Sequence, residues 1–199
     1  MSVLEVKNLS LAYGERTLFR DLSFTADIGE IVGLRGKNGS GKSTLCKHIA
    51  ALEQEGLTVG GEVLLSVSRR QTAIVFQEPE TQLFAPYVIN ELAFAPENLC
   101  VPRDEIKKRI DFIAGLVGIT HLLNARTEQL SGGEKQLVAI GAALTLYPRL
   151  LIADEITARL DGGGREKIRK VLQVFAANGG AVLFVNHADA DICNRTVEI

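Results

Sequence analysis

Residues 36–43 read Gly36-Lys37-Asn38-Gly39-Ser40-Gly41-Lys42-Ser43, the pattern G-x-x-x-x-G-K-[ST], with Thr44 next in line. EIVGLRG before it is a short apolar run that suits a buried strand. KSTLCKHIAALE after it switches to helical spacing, with Leu45, Ile49 and Leu52 on one face. Strand, glycine loop and helix form the context in which this pattern grips phosphate. Glycines let the backbone curl so that successive N–H groups converge on a dense anion. A helix starting near Lys42 adds the positive end of its dipole. Lys42 supplies a point charge for β and γ phosphates, and the Ser43 hydroxyl suits Mg²⁺, a hard cation that prefers oxygen. Gly36, Asn38, Gly39, Ser40, Gly41, Lys42, Ser43 and Thr44 are therefore the expected nucleotide-binding residues.

The rest of the chain supplies a frame for this loop. LEVKNLSLAY and LFRDLSFTAD alternate apolar and polar residues at period two, with a turn at GER between them. VGGEVLL and TAIVFQ read as further strands. Residues 78–130 hold four of the five prolines, with helical patterns between them such as DEIKKRIDFIAGLVG, where Ile106, Ile110, Ile113 and Leu116 to Val117 face one way. After Ser131, GEKQLVAIGAALTL and GREKIRKVLQVFAANG read as helices, and RLLIAD and AVLFVN as fully buried strands. Near-continuous apolar strands alternating with helices indicate a largely parallel sheet covered on both faces. The expected fold is α/β: a P-loop NTPase with a mostly parallel core sheet, an N-terminal antiparallel β subdomain and an inserted α-helical subdomain. The RecA-like core takes about 1–77 and 131–199, and the helical insert about 78–130.

The strand LLIA is followed by Asp154 and Glu155. Open α/β sheets bind ligands at the C-terminal ends of their strands. Asp154 is expected to hold Mg²⁺ there, directly or through water. Strand residues alternate faces, so both carboxylates cannot serve one ligand from within a regular strand. Glu155 must lie at or past the strand end, where it can take a proton from an attacking water. Taken alone, an acidic pair after an apolar run is more often a solvated loop start; Lys42 upstream favours the functional reading.

Leu130-Ser131-Gly132-Gly133-Glu134-Lys135-Gln136 precedes a long helical pattern. Ser131 as N-cap and Glu134 three residues on make a capping box. That accounts for the serine and the glutamate but not for two glycines, which are costly near a helix start unless something approaches the backbone closely. A second anion-binding helix end fits better.

With LSGGEKQ in place, the sequence resembles the nucleotide-binding ATPase subunit of ATP-binding cassette (ABC) transporters over nearly its whole length. GKNGSGKST matches that family's Walker A loop, LLIADE its Walker B strand with the catalytic glutamate, and LSGGEKQ its signature. Gln77, after TAIVF, matches the Q-loop, Asp161 the D-loop, and His187, after AVLFVN, the switch histidine. Tyr13 sits where the family places an aromatic that stacks on adenine. The resemblance implies γ-phosphate sensing by His187, Mg²⁺ or water contact by Gln77, and communication across a dimer by Asp161. It implies that two cassettes close around two MgATP, each nucleotide lying between Lys42 of one and Ser131, Gly132 and Gly133 of the other. VFQEPETQLFAPYVINELAFAPENL is similar to the Q-loop region of energy-coupling-factor importers, including the cobalt type. These move vitamins or transition-metal ions, using two ATPase subunits, an integral membrane coupling protein and a substrate-binding membrane component. The ATPase then sits on the cytoplasmic face of the membrane. Leu83 and Phe84 are expected to be exposed as part of a docking surface. Two features depart from the family. Ile156 and Arg159 replace its usual Pro and Gly, and the chain stops soon after His187, which suggests truncation or one half of a tandem two-cassette protein.

Composition sets the outer limits. The chain has 199 residues, 22 Lys+Arg against 24 Asp+Glu and a formal net charge of −2. A chain of this length buries roughly 70% of its unfolded surface and needs no staple. The near-neutral balance argues against a nucleic-acid partner. No apolar run approaches the ~20 residues of a bilayer span, and MSVLEVKN is not a signal peptide. Cys46, Cys100 and Cys193 show no metal-like spacing and read as buried or half-buried thiols in a reducing compartment. Three rival readings share the phosphate loop. A soluble non-transport ABC ATPase would carry basic or coiled-coil inserts, which are lacking here. A non-hydrolysing ATP sensor is suggested by EITARLD. An adenylate-kinase-like phosphotransferase leaves LSGGEKQ unexplained.

Overall fold

Two sheets are stacked against each other in the computed structural model, which describes residues 1–158, 160–185 and 192–199. The first is antiparallel, in the order β2-β1-β4, from β1 (Ser2–Tyr13), β2 (Arg16–Asp27) and β4 (Leu57–Leu65). Alternation drives it: Leu4, Val6, Leu9 and Leu11 of β1 are buried. The inward set passes from even to odd positions across Asn8, whose φ of 45° marks the register shift between Val6 and Leu9. A bulge of this kind inserts one residue and bends the strand.

The second sheet is wholly parallel, in the order β5-β6-β7-β3-β8. Its strands are β3 (Ile31–Arg35), β5 (Thr72–Val75), β6 (Leu150–Asp154), β7 (Ala181–Val185) and β8 (Arg195–Glu198). Every residue of β6 and β7 is buried, as expected for strands covered on both faces. Leu150, Ile152, Leu183, Val32 and Leu34 pack toward the antiparallel sheet and helix α1 (Lys42–Ile49). Leu151, Ala153, Val182 and Phe184 pack toward the helices α2 (Val88–Asn98), α3 (Arg103–Val117), α4 (Gly132–Thr145) and α5 (Gly162–Ala177). Ile106, Ile110, Ile113 and Val117 form the buried stripe of α3, with Leu116 half-buried. The arrangement is the P-loop NTPase fold expected from the sequence.

Several local expectations are corrected. α1 ends at Ile49 rather than running to Glu53. Ala51 turns left-handed at φ 56°, Leu52 N–H donates to Lys47 O at 2.9 Å and Ala51 N–H to His48 O at 3.0 Å. This is a Schellman closure, and it leaves Leu52 exposed. Strand β5 stops at Val75, two residues before Gln77. Pro96 lies inside α2, near its C-terminal end, where a missing N–H costs one bond only. β8 was not anticipated. Cys100 is exposed, while Cys46 is buried and Cys193 half-buried. Leu83 is half-buried against the helical core, so only Phe84 of that pair is exposed.

Candidate functional site

Past Arg35 the chain leaves the sheet and curls before entering α1. Gly41 caps that helix at φ 102° and Gly39 takes φ 80°. A side chain at Gly41 would also meet Leu18 at 3.0 Å. The curl holds its own cation: Lys42 is only 5% exposed, and its Nζ donates to the carbonyls of Gly36 at 3.0 Å and Lys37 at 3.1 Å. An open depression of about 500 Å³ lies over the loop. Of the residues singled out in the sequence, it gathers Tyr13, Asn38, Gly39, Gly41, Lys42, Ser43, Thr44, Gln77 and Glu155. Gly36 and Ser40 are not among its lining residues; a Cβ on Gly36 would fall 2.6 Å from both Ser40 Oγ and the carbonyl of Ile199.

Two residues at the site carry no sequence signal: one lines the depression and the other braces a lining residue. Arg16, at the start of β2, lines the depression and donates from Nη2 to Gly39 O at 3.3 Å. Gln54 fixes Tyr13: its Oε1 accepts from the tyrosine hydroxyl at 3.3 Å, and its Nε2 donates to Thr44 O at 3.1 Å. The ring is thereby tied to the first turn of α1. Only the fold, which brings residues 13, 16 and 54 together, reveals them.

Asp154 is the last residue of β6 and is 4% exposed. Glu155 follows at φ 52°, past the strand end, with its N–H donating to Val185 O at 3.0 Å. The left-handed step turns Glu155 into the depression while Asp154 stays in the sheet. Burial pushes the Asp154 carboxyl above its ordinary range. A hydrogen bond from Ser43 opposes that, nearby Glu155 reinforces it, and Lys47 and Lys42 oppose it. Asp154 Oδ1 is buried with no hydrogen-bond partner among the described residues. A buried carboxylate oxygen left over beside a serine hydroxyl is a hard-oxygen donor set, and it fits a divalent cation such as Mg²⁺.

Ser131, Gly132, Gly133 and Asp161 do not line this depression. Ser131 caps α4: its Oγ accepts from Glu134 N–H at 3.3 Å, and Glu134 Oε2 accepts from Ser131 N–H at 2.8 Å and from its hydroxyl at 2.7 Å. Those bonds hold the Glu134 carboxyl below its ordinary range. A Cβ on Gly132 would meet nothing within 4 Å, and one on Gly133 only Leu160 at 3.4 Å. Nothing in the described residues requires glycine at 132; an open helix end with bare backbone is what an approaching group needs. Asp161 caps α5, accepting from Gly164 N–H at 2.7 Å, one residue from the leucine that touches Gly133. His187 and Arg159 lie outside the described residues.

A glycine loop between a buried parallel strand and a helix, with a strand-end acidic pair beside it, defines a P-loop nucleoside-triphosphate-binding protein. Residues 19–158 match the family model described as ABC transporter. The chain is 38% identical to the energy-coupling factor transporter ATP-binding protein EcfA1 of Leuconostoc mesenteroides, covering 100% of this chain and 78% of that protein. It is 36% identical to EcfA1 of Fusobacterium nucleatum, covering 96% and 75%. Among solved structures it superposes on cbiO1 of Clostridium perfringens, described as part of the ABC transporter complex cbiONQ, with a TM-score of 0.85, 30% identity and coverage of 99% and 84%. The chain belongs to the ABC transporter family, as an ATP-binding ATPase subunit.

Proposed function

We propose that this chain is the MgATP-driven motor subunit of an energy-coupling-factor importer for a vitamin or a transition-metal ion. It works at the cytoplasmic face of the membrane, with a second cassette, an integral membrane coupling protein and a substrate-binding membrane component. The observation that carries the reading is the gathering of Lys42, Ser43, Gln77 and Glu155 in one depression, with Ser43 bonded to Asp154, whose Oδ1 has no partner among the described residues. The energy-coupling-factor names of the relatives support the importer class.

Each residue then has a task. Tyr13 stacks on adenine, and the amides from Gly36 to Thr44 cradle the phosphates, with Asn38 and Ser40 shaping the loop. Lys42 exchanges its carbonyl bonds for phosphate oxygens. Ser43, Asp154 and Gln77 would hold magnesium, which when bound neutralises charge on the phosphate oxygens. Glu155 accepts the proton of the attacking water. Gln77 orients that water, and His187 senses the γ-phosphate. Ser131, Gly132 and Gly133 offer α4's open N-terminus to the nucleotide of the facing cassette, and Asp161 links the two sites. A γ-phosphate held by both surfaces is a contact that hydrolysis removes, so its loss lets them part. The segment 78–130 acts as the helical subdomain that passes this motion to the membrane, around a RecA-like core of 1–77 and 131–199.

Glu155→Gln keeps the side chain's shape and removes its basicity. With ATP and magnesium it should form a stable dimer by size-exclusion chromatography, with turnover at least about 100-fold slower, the scale of general-base assistance. An undiminished rate in this variant would refute the base assignment.

A further inference from the structure

The backbone that presents Gln77 is gripped by two glutamine side chains from different elements. Phe76, the residue before Gln77, follows the last residue of β5 and is outside the strand pairing with β6. Gln82 takes the place of a strand partner: its Oε1 accepts from Phe76 N–H at 2.8 Å, while its Nε2 donates to Ile74 O at 3.0 Å. On the other side, Gln136 of α4 donates from Nε2 to Phe76 O at 3.2 Å. Gln136 is 1% exposed. Both polar groups of one peptide residue are thus satisfied by side-chain amides, a use that makes a buried glutamine worth its desolvation.

Gln136 lies on the second turn of the helix whose first residues are Gly132 and Gly133. A second link runs the same way, from Lys135 Nζ to Glu80 Oε1 at 3.9 Å. The helix end that offers bare backbone and the loop that carries Gln77 are therefore linked at two points.

We propose that Gln136 and Gln82 are positioning residues for ATP hydrolysis: they hold Phe76 so that Gln77 reaches the nucleotide depression, and Gln136 ties that placement to the Ser131–Gly133 end of α4. The proposal rests on the ATPase reading above and adds how Gln77 is aimed. Neither glutamine touches nucleotide. Their effect passes through the peptide at 76.

The test is a double-mutant cycle on the ATPase assembly isolated from membranes, with MgATP as substrate. Gln136→Met keeps the side chain's length and removes the donor; Gln82→Met does the same on the other side and keeps the test open should the α4 variant fold poorly. Each is expected to lower kcat about ten-fold, with KM for ATP within about two-fold, because the phosphate loop is untouched. In a Gln77→Ala background neither should lower kcat further, since the residue they aim is gone. A purely structural role would cut the rate equally in both backgrounds. Full activity in both methionine variants, or losses that simply multiply with Gln77→Ala, overturns the proposal while the ATPase reading stands. A parent assembly that hydrolyses no ATP overturns that reading and this proposal with it.

Discussion

Asp154 combines two facts that pull against each other: it is buried at a strand end, and one of its oxygens has no hydrogen-bond partner among the described residues. Burial raises its pKa above the ordinary aspartate value, so the folded chain binds that proton more tightly than the unfolded chain. Its contribution to stability is thus most favourable below the ordinary aspartate range. It declines as pH rises from there through the raised value, where the buried group must ionise. Asp154→Asn removes the penalty. In metal-free solution near neutral pH it should raise the melting temperature by about 2–4 °C, equivalent to about 1 kcal/mol. The gain should shrink toward zero as both proteins are acidified below the aspartate range. The same variant should lose magnesium-dependent ATP hydrolysis, because a neutral amide is a poor ligand for a hard cation. Thermal melts across pH, with and without magnesium, check both halves. A variant no more stable than its parent at neutral pH would mean that Ser43 and the nearby lysines already compensate the buried charge.

At the level of single elements, α4 shows how one segment serves structure and site together. Ser131 and Glu134 close a reciprocal capping box, and serine-to-alanine changes at such caps cost about 0.5–2 kcal/mol. Ser131→Ala should therefore lower the melting temperature by a few degrees at neutral pH. Glu134's depressed pKa, due first to its bond from the Ser131 hydroxyl, sets the pH course. The stabilisation is present above the ordinary glutamate range and fades as pH falls through the depressed value. The gap between parent and variant melts should narrow at acid pH but not close, because the bond from Glu134 N–H to Ser131 Oγ does not titrate. This cap was legible in the sequence because S-x-x-E is a local pattern with a local partner. The phosphate loop was legible for the same reason. Gln82 and Gln136 were not, since a polar residue that will be buried against distant backbone looks like any surface residue until the fold closes. β8 was missed because its four residues, RTVE, carry one half-buried apolar side chain. Its place is set by pairing with β3, with Arg195 bonded to Glu30 and to Thr25.

Across the whole molecule, the parallel sheet separates two cores, and the depression over the glycine loop sits where the loops after β3, β5 and β6 meet on one edge. The sheet and its two cores follow from apolar strands alternating with helices, which is why the architecture is legible in the sequence. The outer face of the helical segment was legible in part: of the pair expected to be exposed, Phe84 is and Leu83 is not, because Leu83 packs against the helical core. Phe84 is 61% exposed and stands edge-to-face with Phe94, ring centres 4.4 Å apart. Tyr87 and Ile89 are exposed nearby in sequence. Buried Glu91 accepts from the N–H groups of Phe84 at 3.0 Å and Ala85 at 2.7 Å. An exposed phenylalanine whose backbone is already bonded offers a partner apolar area at a reduced ordering cost. If this face docks the membrane coupling protein, Phe84→Ser forfeits about 1.5–3 kcal/mol of burial. That corresponds to about 10–150-fold weaker attachment. Co-sedimentation with membranes carrying the partner should fall accordingly, while the variant's melting temperature and its affinity for ATP in solution stay at parental values. Attachment unchanged in Phe84→Ser would move the docking surface elsewhere on the chain. Attachment lost together with ATP affinity would show that the loop from Gln77 to Phe84 behaves as one unit with the nucleotide depression, rather than as a separate handle.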